Sequence, residues 1–118
     1  MNILVVDDEI LIIDSLVPML EILGHGAQAA EDGVQALAML QGGFEPDLVI
    51  LDMNMPGLNG QDTLVRIKAL RPGQAVLMSS GLDDRAVEGL ASRFPGVHAI
   101  QKPFNMKELR AKLGEMGL

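Results

Sequence analysis

Residues 47–60 read Asp47-Leu48-Val49-Ile50-Leu51-Asp52-Met53-Asn54-Met55-Pro56-Gly57-Leu58-Asn59-Gly60. Leu48-Val49-Ile50-Leu51 is a short, unbroken apolar run, which reads as a strand buried on both faces. Asp52 follows it directly. Pro56, Gly57 and Gly60 then read as a shaped loop that lets backbone approach the aspartate. The same grammar occurs twice more. Ile3-Leu4-Val5-Val6 runs into Asp7-Asp8, and Val97-His98-Ala99-Ile100-Gln101 runs into Lys102. In an open α/β sheet, chemistry collects beyond the carboxyl ends of the strands. Three such strands would deliver three carboxylates and an ammonium to one edge.

The rest of the chain fits a strand–helix unit repeated five times. Strands are predicted near residues 2–6 (β1), 26–30 (β2), 47–51 (β3), 75–79 (β4) and 97–100 (β5). Helices are predicted near 10–23 (α1), 33–41 (α2), 60–70 (α3), 83–92 (α4) and 106–116 (α5). Gly24 and Gly42-Gly43 sit where helices end, and Asp32, Asp83 and Asn105 sit where N-caps belong. Such alternation predicts a parallel sheet covered on both faces. Pro18 falls inside α1, where it removes a helical hydrogen bond and crowds the preceding turn, so a kink is expected over residues 14–18.

At 118 residues the chain is read as one domain spanning 1–118, with 48% apolar residues for its core. There is no cysteine, which excludes disulfides, thiolate zinc sites and thiol nucleophiles. No apolar stretch approaches the ~20 residues of a membrane span. A basic-then-apolar signal segment is not seen either, so a cytoplasmic setting is expected. The net charge of −7 is unevenly spread. Residues 1–65 carry eleven acids and no Lys or Arg, whereas residues 66–118 carry nine bases and five acids. An acidic chain is a poor ligand for nucleic-acid phosphates. The asymmetry reads as a lopsided but solvated polar surface, or, more sharply, as a basic C-terminal face that meets an acidic partner or a second copy of the chain.

Three carboxylates in one cleft repel, which disfavours ionisation of at least one. A divalent cation removes the conflict. Mg²⁺ prefers oxygen ligands and commonly bridges one or two protein carboxylates to a phosphate. Asp7 and Asp8 read as metal ligands, and Asp52 as a ligand that can also be a nucleophile. Lys102 is a point charge suited to a phosphoryl oxygen or an unmodified carboxylate.

These residues, taken together, resemble the receiver domain of two-component response regulators, the CheY-like family. The resemblance rests on Val5-Val6-Asp7-Asp8-Glu9, Asp32-Gly33 with Ala36-Leu37, and the 47–60 block. It continues through Leu77-Met78-Ser79-Ser80-Gly81 and Gln101-Lys102-Pro103-Phe104, so it covers the whole chain. It implies a flavodoxin-like (βα)5 fold with strand order 2-1-3-4-5. Asp52 becomes the expected phosphoryl acceptor. Asn54 would give its backbone carbonyl to the metal, and its side chain would influence hydrolysis. Ser80 would supply a hydroxyl to the phosphoryl group, being followed by Gly81 and lying 22 residues before Lys102. Ser79 is its rival, because adjacent strand residues face opposite ways. The Lys102-Pro103 bond is expected to be cis, aiming the lysine inward.

Ala99 departs from the family pattern. Three residues before the lysine many receivers carry Tyr or Phe, whose ring moves inward when the hydroxyl residue engages the phosphoryl group. Alanine has no ring to move, and alternation points neighbouring His98 to the other face. His25 and His98 read as structural or exposed, and the eight methionines as core filler.

The resemblance implies a signalling module rather than a turnover enzyme. A histidine kinase or histidine phosphotransfer protein would donate to Asp52, with slow self-dephosphorylation. A phosphorylation-biased surface at α4-β5-α5 would meet the output partner or a second copy as a homodimer. Two rivals differ in class. A phosphatase of the haloacid-dehalogenase kind also uses a strand-end aspartate, but its general acid stands two residues later, where this chain has Asn54. A receiver kept only for docking would need no intact acidic cluster. The wording Ser79-Ser80-Gly81 and Ile100-Gln101-Lys102-Pro103-Phe104 resembles receivers attached to hybrid kinases.

Overall fold

The strand–helix alternation is realised in a computed structural model that describes residues 1–55, 57–81 and 85–118, with backbone alone for Arg85 and Ala86. In chain order the elements are β1 (Asn2–Val6), α1 (Ile10–Ile22), β2 (Gly26–Ala30), α2 (Gly33–Gln41), β3 (Leu48–Asp52), α3 (Gly60–Leu70), β4 (Val76–Ser80), α4 (Arg85–Arg93), β5 (Val97–Gln101) and α5 (Met106–Glu115). The five strands form one parallel sheet in the order β2-β1-β3-β4-β5.

Alternation along the strands divides the interior into two layers. Leu4, Val6, Val49, Leu51, Val76 and Met78 face α2, α3 and α4. Ile3, Val5, Leu48, Ile50, Leu77 and Ile100 face Leu16 and Leu20 of α1 and Leu109 and Leu113 of α5. Because both faces are covered, β1, β3 and β4 read as continuous apolar runs instead of alternating ones.

Several boundaries differ from the sequence expectation by one residue. β3, β4 and β5 each reach one position further, so Asp52, Ser80 and Gln101 lie inside the ladder. The parallel register carries polar residues at strand ends as readily as apolar ones, since backbone pairing does not depend on the side chain. α4 is described over Arg85–Arg93; the cap expected at Asp83, like Pro56 of the loop, lies outside the described residues. α1 is a single helix with Pro18 inside it. Pro18 and Asp14, whose carbonyl loses its helical donor, both lie on the exposed face, where water can serve that oxygen.

Capping follows the sequence. Asp32 accepts from Gln35 N, and Asn105 with Glu108 forms a reciprocal capping box. Asn59 caps α3 by accepting from Asp62 N. A less visible clamp lies at the opposite end of the sheet from Asp52. Lys68 is 7% exposed, and its Nζ donates to the carbonyls of Pro72, Gln74 and Pro95 at 3.1, 2.7 and 2.8 Å. It ties α3 to the loops entering β4 and β5. Burial lowers its pKa from the ordinary lysine value.

Candidate functional site

The central strands β1 and β3 pair directly, and each delivers an aspartate to the same sheet edge. Asp7 follows β1, and its backbone N–H still donates to Ala30 O. Asp52 is the last residue of β3. Both are only 2% exposed, whereas Asp8 is exposed. The carboxylate oxygens of Asp7, Asp8 and Asp52 lie within 4.8 Å of one another. Lys102, just past β5, reaches across: its Nζ is 2.9 Å from Asp7 Oδ2 and 3.2 Å from Asp52 Oδ1. Four sequence-predicted residues therefore converge.

A buried carboxylate is costly unless it is paired and hydrogen-bonded. The chain supplies backbone donors as well as Lys102. Asp7 Oδ1 accepts from Glu9 N at 2.9 Å, and Asp52 Oδ1 from Asn54 N at 3.1 Å. Each aspartate thus accepts from the amide two residues on, the local turn that Asp readily makes. These donors escaped the sequence reading, although the Asp-x-x spacing is present at both places. Burial pulls the Lys102 ammonium towards neutrality. Its hydrogen bond to Asp7 and the charges of Asp52 and Asp7 outweigh that, so its pKa lies above the ordinary lysine value.

The loops around the cluster are fixed by backbone contacts. Met53 N donates to Ser79 O at 3.0 Å and Lys102 N to Ser80 O at 2.6 Å. The Lys102-Pro103 bond is cis, as expected. Gly60 lies so close to the acceptor strand that a Cβ there would be 2.5 Å from Met53 Cα and 2.6 Å from Asp52 O. The expectation that glycine lets backbone approach the site holds at this position. Gly57 adopts φ +71, a conformation that favours glycine.

Ser79 and Ser80 are both buried, at 3% and 5% exposure. The register sets Ser79 beside Asp52 and Ser80 beside Gln101. By alternation Ser80 belongs to the layer of Val76 and Met78, against α4. Ala99 packs against that same layer, half-buried and without a ring. His98 alternates to the other face. His25 is remote from the cluster, with Nδ1 3.1 Å from the Met1 amino nitrogen.

The donor set is all oxygen and anionic, which fits a hard divalent cation such as Mg²⁺ and does not fit a soft one. Next to it stands an ammonium already bridging two carboxylates. Such an arrangement can hold a cation and present a carboxylate oxygen as a nucleophile towards a phosphoryl group.

Comparison with known proteins finds a family and a fold that the chain is similar to. The family model "Response regulator receiver domain" matches residues 3–114. The transcriptional regulatory protein CpxR homolog of Haemophilus influenzae is 34% identical over 113 residues, covering 95% of this chain and 48% of that protein. Protein-glutamate methylesterase/protein-glutamine glutaminase 3 of Rhodospirillum rubrum is 40% identical over 104 residues, or 86% of this chain and 28% of the relative. The chain thus spans under half the length of these relatives. Among solved structures, a response regulator receiver domain protein from Clostridium thermocellum superposes with TM-score 0.87 at 32% identity, covering 98% of this chain and 92% of that one. Vibrio cholerae chemotaxis protein CheY4 gives TM-score 0.85 at 27% identity, with 98% and 97% covered.

Proposed function

The chain belongs to the response regulator receiver domain family of two-component signalling, and on that premise we propose that Asp52 is its phosphoryl acceptor. The observation that carries the reading is the convergence of the Asp7, Asp8 and Asp52 carboxylates within 4.8 Å, with Lys102 bridging two of them. The donor is a histidine kinase or histidine phosphotransfer protein. A carboxylate oxygen of Asp52 attacks phosphorus in line, the bond from phosphorus to the donor atom breaks, and the electron pair leaves with the donor.

Asp7, Asp8, Asp52 and the backbone carbonyl of Asn54 would hold Mg²⁺. Bound there, the ion neutralises charge on the transferring group. The chain's own groups do the rest. Lys102 gives up part of its pairing with Asp52 to meet a phosphoryl oxygen, while its contact with Asp7 keeps it in place. Ser80 offers its hydroxyl to another phosphoryl oxygen. The buried neighbours of Asp52 restrict water, so the mixed anhydride lasts long enough to act as a signal and is lost by slow hydrolysis. The chain is therefore a phospho-accepting module and not a turnover enzyme. The phosphatase alternative lacks its acid, because Asn54 stands where that chemistry needs a second aspartate.

Signalling through α4, β5 and α5, a homodimer on that face, and a cytoplasmic setting complete the proposal. Among the described residues no helix is long and apolar enough to cross a membrane. The test is intact-mass measurement with acetyl phosphate. One phosphoryl group is expected with Mg²⁺, none with chelator and none in Asp52→Asn. Labelling that survives in Asp52→Asn refutes the acceptor assignment.

A further inference from the structure

A groove lies between α1 and the segment after β5. Ile12, Leu16 and Met19 of α1 form one wall, Pro103 and Phe104 the other, and the volume is about 480 Å³. That is large enough for a small organic group, since such sites run from about 300 to 1,000 Å³. Lys102 and Gly81 also line it. Lys102 is thus shared between groove and acceptor, its Nζ lying 3.2 Å from Asp52 Oδ1. In an in-line transfer the leaving group sits on the far side of phosphorus from the attacking oxygen. It therefore stays outside the buried carboxylates, and Lys102 is the residue that joins them to the groove.

We infer that this groove selects small acyl phosphates by the apolar part of the leaving group, favouring a butyryl over an acetyl chain. The inference rests on Asp52 being the acceptor. The step is the same for both donors. An Asp52 oxygen forms the new bond to phosphorus, the bond from phosphorus to the acyl oxygen breaks, and the electron pair departs on the acyl carboxylate. No proton or redox partner is needed. Full burial of one methylene is worth about fourfold in affinity. The two that butyryl adds lie in an open groove, so about three- to tenfold is expected.

Initial labelling rates with subsaturating acetyl phosphate and butyryl phosphate are compared by intact mass, in the wild type and in Ser15→Phe. Ser15 lines the groove from an exposed position on α1, so the phenyl ring fills the groove without entering the core. Butyryl phosphate should be about three- to tenfold faster in the wild type. The ratio should fall to about one in Ser15→Phe, with the acetyl phosphate rate unchanged. Independently, butylphosphonate in Mg²⁺ buffer should move the amide resonances of Leu16, Met19 and Phe104, and methylphosphonate should not. A wild-type ratio near one, a ratio that Ser15→Phe leaves intact, or unmoved Leu16, Met19 and Phe104 amides overturns the inference. Failure of both donors to label the wild type strikes the acceptor assignment itself, and this inference with it.

Discussion

Lys102 shows how one side chain sets the state of the cluster. Its ammonium stands between two buried carboxylates, and its pKa is raised. The stability it contributes is present below the unfolded lysine value and is lost as pH rises through the folded one. At neutral pH, Lys102→Met leaves Asp7 and Asp52 facing each other. The variant should be about 2–3 kcal/mol less stable in urea unfolding. The gap should narrow as pH rises through the raised Lys102 value, and on adding Mg²⁺. A gap that ignores both pH and Mg²⁺ would mean that charge is not what Lys102 supplies. The hydroxyl assignment is tested at the same scale: Ser80→Ala should slow labelling of Asp52 by about tenfold or more, and Ser79→Ala should not. Asp7, Asp8, Asp52 and Lys102 were legible in the sequence because they stand at the ends of three short strand-like runs. The amides of Glu9 and Asn54 were not, because a backbone donor leaves no residue type behind to read.

At the level of elements, the strands and helices could be read from apolar runs and from caps such as Asp32 and Asn105. What could not be read is how loops are pinned. Gly60 reads as a loop glycine, yet the structure presses it against the carbonyl of Asp52. Gly60→Ala should cost about 2–3 kcal/mol, by a shift in the denaturation midpoint, because the Cβ meets backbone that cannot step aside. Lys68 sits in α3 with no sequence signal for its role. Only the fold brings the carbonyls of Pro72, Gln74 and Pro95 around its ammonium. Lys68→Met keeps the apolar stem and removes those bonds, and should lower stability by about 1–3 kcal/mol. A midpoint unchanged by Lys68→Met would show that water serves those carbonyls equally well.

For the whole molecule, parallel strands covered by helices followed from the alternation. The strand order followed only from the family resemblance, since no apolar run states which strands are neighbours. The two layers also frame the switch. Ala99, Val87 and Leu90 share one layer, while Leu109 and Leu113 lie in the other. With no ring at position 99, a change at Ser80 can reach α4 directly but has no side chain with which to lever β5 and α5. Beryllium fluoride, as a phosphoryl mimic at Asp52, should shift amides at Val87 and Leu90 and spare Leu109 and Leu113; shifts confined to the pocket would contradict a propagated change. Everything at this scale depends on where the phosphoryl group lands. Borohydride reduction of the phosphorylated chain, followed by peptide sequencing, reads that residue directly. The account predicts homoserine at position 52 alone. Homoserine at position 7 or 8, with Asp52 unmodified, would contradict it.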